Sequence, residues 1–190
     1  HVVPSGIKIQ DKPVFQNKKQ IDLFHLGALD WIPNQEGLIW FIETCWPAIV
    51  DKNPGATFYI AGRNAPTDYI KKISGKNVVY CGEVDSAEQF IKEHDVMIVP
   101  LLSGSGMRVK IIEGMLHGKT VVTTNIGAEG IPVTHGKNII IANSPAEFIN
   151  NITHLLQKDS AKFVEIGMQA YEFITNNFDH QYLEAFKQCK

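Results

Sequence analysis

The chain has 190 residues, of which 44% are hydrophobic and 20% charged, which is the composition of one ordinary globular domain. Its formal net charge of −2 argues against a nucleic-acid partner, because general nucleic-acid binders carry a surplus of basic residues. No apolar run reaches the roughly 18 residues that a membrane span needs, so no membrane span is expected. Cys45, Cys81 and Cys189 are far apart, which is typical of free thiols in a reducing compartment and predicts no metal site.

Short apolar segments alternate with amphipathic segments along the chain. The apolar segments predict six strands, at 23–27, 57–62, 78–82, 96–100, 120–124 and 139–141. Helical periodicity predicts helices at 34–50, 67–74, 87–93, 107–117, 160–175 and 179–187, with another that is capped by Ser144. We expect Asn34 to cap the first helix and Pro47 to kink or close it. The first 20 residues have the Pro and Gly content of a linker.

The alternation of buried strands and helices predicts an α/β fold. We expect a Rossmann-like, doubly wound parallel sheet of six strands, flanked by helices and followed by C-terminal helices, over residues 21–190. Ligands of such sheets bind at the carboxyl ends of the strands, near the point where the strand order reverses. The candidate loops are therefore those after Gly27, Gly62, Gly82, Pro100 and Thr124.

The most informative stretch, residues 104–113, follows the fourth strand and opens a helix. Its small residues let a phosphate approach the backbone, and the N–H groups at a helix start favour an anion. Arg108 and Lys110 have the wrong sign for the helix dipole, which is explained if they meet a diphosphate; the alternative is two solvated cations. The predicted diphosphate-binding residues are Gly104, Ser105, Gly106, Met107, Arg108 and Lys110. The stretch matches neither a dinucleotide fingerprint nor a Walker A loop.

Four other features are candidates for a role near these loops. Glu113 either accepts hydrogen bonds from ribose hydroxyls or pairs with a neighbouring side chain of its helix. Arg63 follows the second strand and is either a further phosphate contact or a solvated side chain. The loop 125–130 either closes on the phosphate pocket or is a plain turn. Trp31, after the first strand, is open to a carbohydrate-stacking role.

Together these pieces resemble the C-terminal, nucleotide-sugar-binding domain of group 1 glycosyltransferases, the retaining enzymes of the GT-B fold. Each piece is modest, but their order and spacing are specific. The pieces are Val2-Val3-Pro4-Ser5-Gly6, Leu26-Gly27 with Trp31 and Pro33-Asn34, Ile60-Ala61-Gly62-Arg63, Gly82-Glu83-Val84, Val99-Pro100, residues 104–113, Gly118-Lys119-Thr120-Val121-Val122 and Gly127-Ala128-Glu129-Gly130.

The resemblance implies roles for individual residues. Glu113 corresponds to the second Glu of the family's E-x7-E motif, which holds the donor ribose, whereas Ser105 stands where the first Glu would be. The family places the nucleotide base at the backbone around Glu83 and Val84. Many members carry an Arg and a Lys for the diphosphate after the first strand, which are absent from residues 28–31. Arg108 and Lys110 are therefore expected to take over that task.

The resemblance also implies a function. We expect the donor-binding domain of a retaining, hexosyltransferase-type enzyme that moves a sugar from a UDP- or GDP-linked donor to a glycan or lipid-linked acceptor. It needs no metal or other cofactor, and no catalytic residue is identified in this half. The chain would begin on the interdomain linker, lack the N-terminal acceptor domain and be inactive alone. We expect a cytoplasmic protein, at the membrane surface when full-length. The alternatives are a UDP-sugar epimerase of the same fold and a non-catalytic interaction module.

Overall fold

The computed structural model describes Pro13, residues 21–157 and residues 160–178. Its strands are β1 Leu23–Leu26, β2 Phe58–Ala61, β3 Val78–Gly82, β4 Val96–Val99, β5 Thr120–Thr123 and β6 Ile140–Ile141. Its helices are α1 Ile32–Thr44, α2 Trp46–Lys52, α3 Thr67–Lys72, α4 Ala87–Glu93, α5 Val109–Leu116, α6 Pro145–Gln157 and α7 Ser160–Asn177. Cys189, the predicted helix 179–187 and the predicted linker, apart from Pro13, lie outside the described residues. None of the described helices is long and apolar enough to cross a membrane.

The six strands form one parallel sheet in the order β3-β2-β1-β4-β5-β6. Strand β1 lies in the middle, where Leu23 is in register with Phe58 of β2 and Val96 of β4. The strand order therefore reverses between β1 and β4. The predicted Rossmann-like, doubly wound sheet is confirmed.

Helices cover both faces of this sheet, because successive side chains of a strand point to opposite faces. Leu23 belongs to the cluster formed with α1, α2 and α6, in which Phe41 lies 5.2 Å from Phe58 between ring centroids. Phe24 belongs to the opposite cluster, formed with α4 and α5. Burial on both faces explains why the strands read as continuous apolar runs in the sequence.

Helix α1 begins earlier than predicted. It starts at Ile32, and the residue at its N-cap position is Trp31, so the expected cap by Asn34 is wrong. Asn34 is instead buried inside the first turn, where its side-chain Nδ2 donates to the carbonyl of Ala28 at 2.7 Å. A side-chain hydrogen bond to the loop that precedes the helix has thus replaced the expected capping bond.

The predicted helix 34–50 is two helices in the structure. The break falls at Cys45, and Pro47 lies in the first turn of α2. Proline is tolerated there because the backbone N–H groups of a first turn have no partner within the helix. The expected cap at Ser144 is confirmed, since its hydroxyl accepts from the backbone N–H of Glu147 at 3.3 Å.

Gly37 sets how closely α1 approaches the sheet. A Cβ at this position would overlap the carbonyl oxygen of Pro100, which directly follows β4. The helix and the loop after β4 are therefore in backbone contact, and no side chain fits between them. This contact fixes the position of the loop after β4 relative to α1.

We expect Gly37→Ala to lower the free energy of unfolding by about 1–3 kcal/mol, the usual cost of overpacking. The backbone of Pro100 cannot rotate away as a side chain does, so α1 must shift. Gly75→Ala is the matched control, because its new Cβ would meet the Cγ2 of Val78 at 3.3 Å, a contact that a side chain can relieve. Urea denaturation measures both variants. Equal midpoints for the two would contradict the role assigned to Gly37.

Candidate functional site

The loops after β1 and β4 separate at the point where the strand order reverses. The loop after β1 leads into α1, whose buried residues belong to one face of the sheet. The loop after β4 leads into α5, whose buried residues belong to the other face. In doubly wound sheets, ligands bind in the crevice that forms where neighbouring strands send their loops in opposite directions, so the candidate crevice lies along residues 27–31 and residues 100–108.

Arg108 is a buried charge beside this crevice. It occupies the N-cap position of α5, and its side chain is buried although it carries a guanidinium group. Its Nη1 donates to the carbonyl of Ser105 at 2.5 Å. Its Nε and Nη2 are also buried, and neither has a hydrogen-bond partner among the described residues. Because a buried charge with open donors is costly, the arrangement suits an anion.

Trp31 packs on the guanidinium of Arg108. The centre of the guanidinium lies 5.2 Å from the centroid of the indole ring, which is within the range of a cation–π contact. Gly104 completes the arrangement, because a Cβ there would lie 2.9 Å from Arg108 Nη2 and 3.4 Å from the indole. The φ of Gly104 is +99°, a conformation that favours glycine. Trp31 is therefore a neighbour of the candidate anion-binding group, with 36% of its surface exposed.

Lys110 connects the two walls of the crevice. It lies in the first turn of α5, and its Nζ donates to Asn34 Oδ1 on α1 at 2.7 Å. Asn34 is in turn held by the carbonyl of Ala28. A Cβ on Gly27 would lie 2.7 Å from Lys110 Nζ, so the ammonium reaches the end of β1. The structure thus brings Arg108 and Lys110 to the same crevice.

The loop 125–130 closes on the loop 104–107, as one of the two sequence interpretations expected. The backbone N–H of Gly106 donates to Glu129 Oε2 at 3.2 Å, so a carboxylate oxygen already occupies one backbone donor of this loop. A Cβ on Gly130 would lie 3.6 Å from Met107 Cβ. The loop is anchored at its start by Thr124, whose hydroxyl donates to the carbonyl of Leu101 at 2.5 Å.

The remaining predicted residues lie on the same edge of the sheet or close to it. Glu113 is half-buried on α5. Arg63 is exposed, and its carbonyl accepts from the backbone N–H of Leu29, which joins the loops after β1 and β2. Glu83 is exposed and Val84 half-buried, directly after β3. The structure places these residues near strand ends, but their contacts with a nucleotide stay predictions.

Sequence analysis did not select His25 as a site residue. Its ring is buried at the carboxyl half of β1, with Nδ1 2.8 Å from the carbonyl oxygen of Ile98. Burial holds the pKa of His25 well below its usual value, and the nearby charge of Lys110 lowers it further. The sequence offers one signal for His25, which is that a polar residue interrupts the apolar run of β1. The electrostatic effect of Lys110 arises only when the fold brings α5 close to β1.

Comparisons with known proteins identify the family. The family model described as "Glycosyl transferases group 1" matches residues 20–158. An uncharacterized 44.6 kDa protein in the cps region of Klebsiella pneumoniae is 30% identical over 166 residues, which are 83% of this chain and 42% of that protein. The chain therefore spans less than half the length of this relative.

Solved structures with GT-B glycosyltransferase domains share the fold. The Anabaena protein HepE, in complex with UDP and glucose, is 19% identical with a TM-score of 0.70, over 90% of this chain and 48% of that one. The C-terminal domain of a group 1 glycosyl transferase from Francisella tularensis is 17% identical with a TM-score of 0.71, over 93% of this chain and 100% of that domain. At such identities the likeness shows the fold alone.

Because the indole of Trp31 lies against the Arg108 guanidinium, we expect Trp31→Ala to weaken pyrophosphate binding by about 0.5–1 kcal/mol, as for a partly exposed cation–π pair. Trp31→Phe keeps an aromatic face and should lose less. Titration calorimetry with pyrophosphate measures both. Trp40→Phe is the control, since Trp40 packs on Phe148 at 5.5 Å between centroids, away from Arg108. An unchanged affinity in Trp31→Ala would refute the role of the stacking.

Proposed function

Because the chain belongs to the group 1 glycosyl transferase family, we propose that it forms the donor-binding domain of a retaining, hexosyl-transferring enzyme that uses a UDP- or GDP-linked sugar. The observation that carries this proposal is the buried guanidinium of Arg108, whose Nε and Nη2 have no partner among the residues described. A diphosphate presents oxygens that a guanidinium binds in a bidentate way. The complex of the similarly folded HepE with UDP and glucose also supports this donor class.

The charge of the site suits the chemistry of such a donor. When the bond between the anomeric carbon and the distal phosphate oxygen breaks, its electron pair stays on the nucleoside diphosphate. Donors that are already oriented toward this developing charge lower the barrier, because they need no reorganisation during the reaction. In this proposal the donors are Arg108, Lys110 and the backbone of residues 104–107. The positive charge comes from side chains, so no metal ion is invoked.

The rest of the nucleotide is proposed to lie along the carboxyl edge of the sheet. Backbone hydrogen bonds join the successive loops, from Leu29 N–H to the Arg63 carbonyl and from Gly62 N–H to the Gly82 carbonyl. We assign the ribose to Glu113, the base to the backbone around Glu83 and Val84, and a further phosphate contact to Arg63.

The acceptor is proposed to bind outside this domain. The curated relative is more than twice as long as the segment it shares with this chain, so a whole enzyme has room for a second domain. A glycan or a lipid-linked sugar is the proposed acceptor, met at the cytoplasmic surface of a membrane. A sugar-transfer assay that compares this chain with a longer protein carrying a second domain tests whether the acceptor binds outside this chain. Turnover by this chain alone would contradict the proposal.

We expect Arg108→Ala to weaken UDP binding by about 1–3 kcal/mol, the scale of a lost charge-assisted hydrogen bond. Arg108→Lys should recover part of that loss, because it restores the charge without the two-pronged geometry. Lys76→Ala is the control. This exposed lysine comes just before β3, at the amino ends of the strands, whereas the candidate site lies at their carboxyl ends.

Titration calorimetry with UDP, GDP and ADP measures these variants and identifies the preferred base. An Arg108→Ala protein that binds UDP like the wild type would refute the anion site. A wild-type protein that binds none of the three nucleotides would favour the non-catalytic interaction module.

We expect Glu113→Gln to weaken UDP binding but to leave pyrophosphate binding nearly unchanged, because only UDP carries ribose hydroxyls for the carboxylate to accept. Glu43→Gln on the exposed side of α1 is the matched control. The ratio of the two dissociation constants is the readout. An equal loss with both ligands would assign Glu113 a general electrostatic role instead.

A further inference from the structure

The surroundings of the buried His25 ring determine which of its two nitrogens carries the proton. Its Nδ1 lies 2.8 Å from the carbonyl oxygen of Ile98, and a carbonyl only accepts, so Nδ1 carries the proton. Because burial lowers the pKa of the ring well below its usual value, the ring is neutral near pH 7. Its Nε2 therefore has an open lone pair. That atom is buried, and within the described part of the chain it has no hydrogen-bond partner.

The Nε2 of His25 faces the same small space as the ammonium of Lys110. A Cβ on Gly27 would lie 2.7 Å from Lys110 Nζ, 3.1 Å from Asn34 Nδ2 and 3.3 Å from His25 Nε2. Three polar side chains from β1, α1 and α5 therefore converge at one face of Gly27. The charge of Lys110 also lowers the pKa of His25, as expected for groups this close.

We propose that His25 and Asn34 act as positioning residues, which together hold the Lys110 ammonium at the crevice for a diphosphate. Asn34 Oδ1 accepts from Lys110 Nζ at 2.7 Å. His25 Nε2 lies on the β1 side of the same space, and its lone pair attracts the ammonium without a hydrogen bond between them. This inference rests on the proposed function, because it assigns Lys110 to the diphosphate of the donor.

We call His25 and Asn34 together the lysine cradle. Its benefit is that Lys110 is already ordered when a ligand arrives. A lysine side chain loses much of its rotamer freedom when it is ordered, which opposes binding. If His25 and Asn34 order it before the ligand arrives, that cost no longer reduces the binding affinity. His25 is itself held in place by the sheet, because Ile98 belongs to the neighbouring strand β4. The lysine cradle is thus anchored to β1 and β4, and it restrains the flexible side chain of Lys110.

Two substitutions separate the two functions of the His25 ring. His25→Asn retains a donor for the Ile98 carbonyl but has no acceptor at the Nε2 position. His25→Gln extends an amide oxygen to that position but gives up the donor to Ile98. We expect His25→Asn to weaken UDP binding threefold to tenfold and His25→Gln to stay within twofold of the wild type. His154→Asn, at an exposed histidine of α6, is the matched control and should change nothing.

Lys110→Met provides the test of mechanism. If His25 acts through Lys110, His25→Asn should cause no further loss of UDP affinity in the Lys110→Met background. A loss that persists there at full size would assign His25 a structural role and overturn the proposal. Equal UDP affinities of His25→Asn and the wild type would also overturn it.

A ligand-free measurement keeps the inference distinct from the proposed function. The ¹⁵N resonances of the His25 ring should show a protonated Nδ1 and an unprotonated Nε2, and the Nε2 resonance should shift in Lys110→Met. A proton on Nε2, or a resonance that Lys110→Met leaves unchanged, would overturn the cradle even if His25→Asn fails to fold. If the wild type binds neither UDP nor pyrophosphate, the proposed function fails, while the NMR result still decides the contact.

Discussion

The buried guanidinium of Arg108 is the group on which the candidate site depends. Removing a charge from water costs several kcal/mol unless partners replace the lost hydration. The carbonyl of Ser105 and the face of Trp31 replace part of it, and two buried donors are left over. A solvated surface cation would not be enclosed in this way. The domain therefore tolerates a locally unfavourable arrangement that an oxyanion in the crevice would relieve.

The sheet makes this arrangement possible by bringing distant segments together. Strands β1 and β4 are neighbours, although β2 and β3 separate them in the chain. Their side-by-side position lets Lys110 of α5 reach Asn34 of α1, a contact between residues 76 positions apart. It also lets the ring of His25 bond to the carbonyl of Ile98. The same strand order that opens the crevice thus supplies the groups that line it.

Sequence reasoning predicted the fold because the strands and the segment between β4 and α5 have local signals. The six described strands are short apolar runs, most of them ended by a glycine, proline or threonine, and residues 104–113 follow β4 and open α5 as predicted. The start of α1 was misplaced because Asn34 has a good local capping signal, whereas its actual partners come from tertiary contacts. The stacking of Trp31 on Arg108 could not be predicted for the same reason. Nothing local in either segment indicates that the two loops meet.

Glu129 bears on which donors of the candidate site are available to an anion. Its carboxylate accepts from the backbone N–H of Gly106, a donor that a phosphate at the same loop would also use. Two anions on one donor repel each other, so a diphosphate that reaches Gly106 must displace the carboxylate. Glu129 is exposed and the start of its loop is anchored by Thr124, so a rotation of the side chain is sufficient. At Gly106 a phosphate would therefore only replace the carboxylate, and this donor adds little to the free energy of binding. The buried donors of Arg108, for which no described residue competes, are left to provide the net attraction.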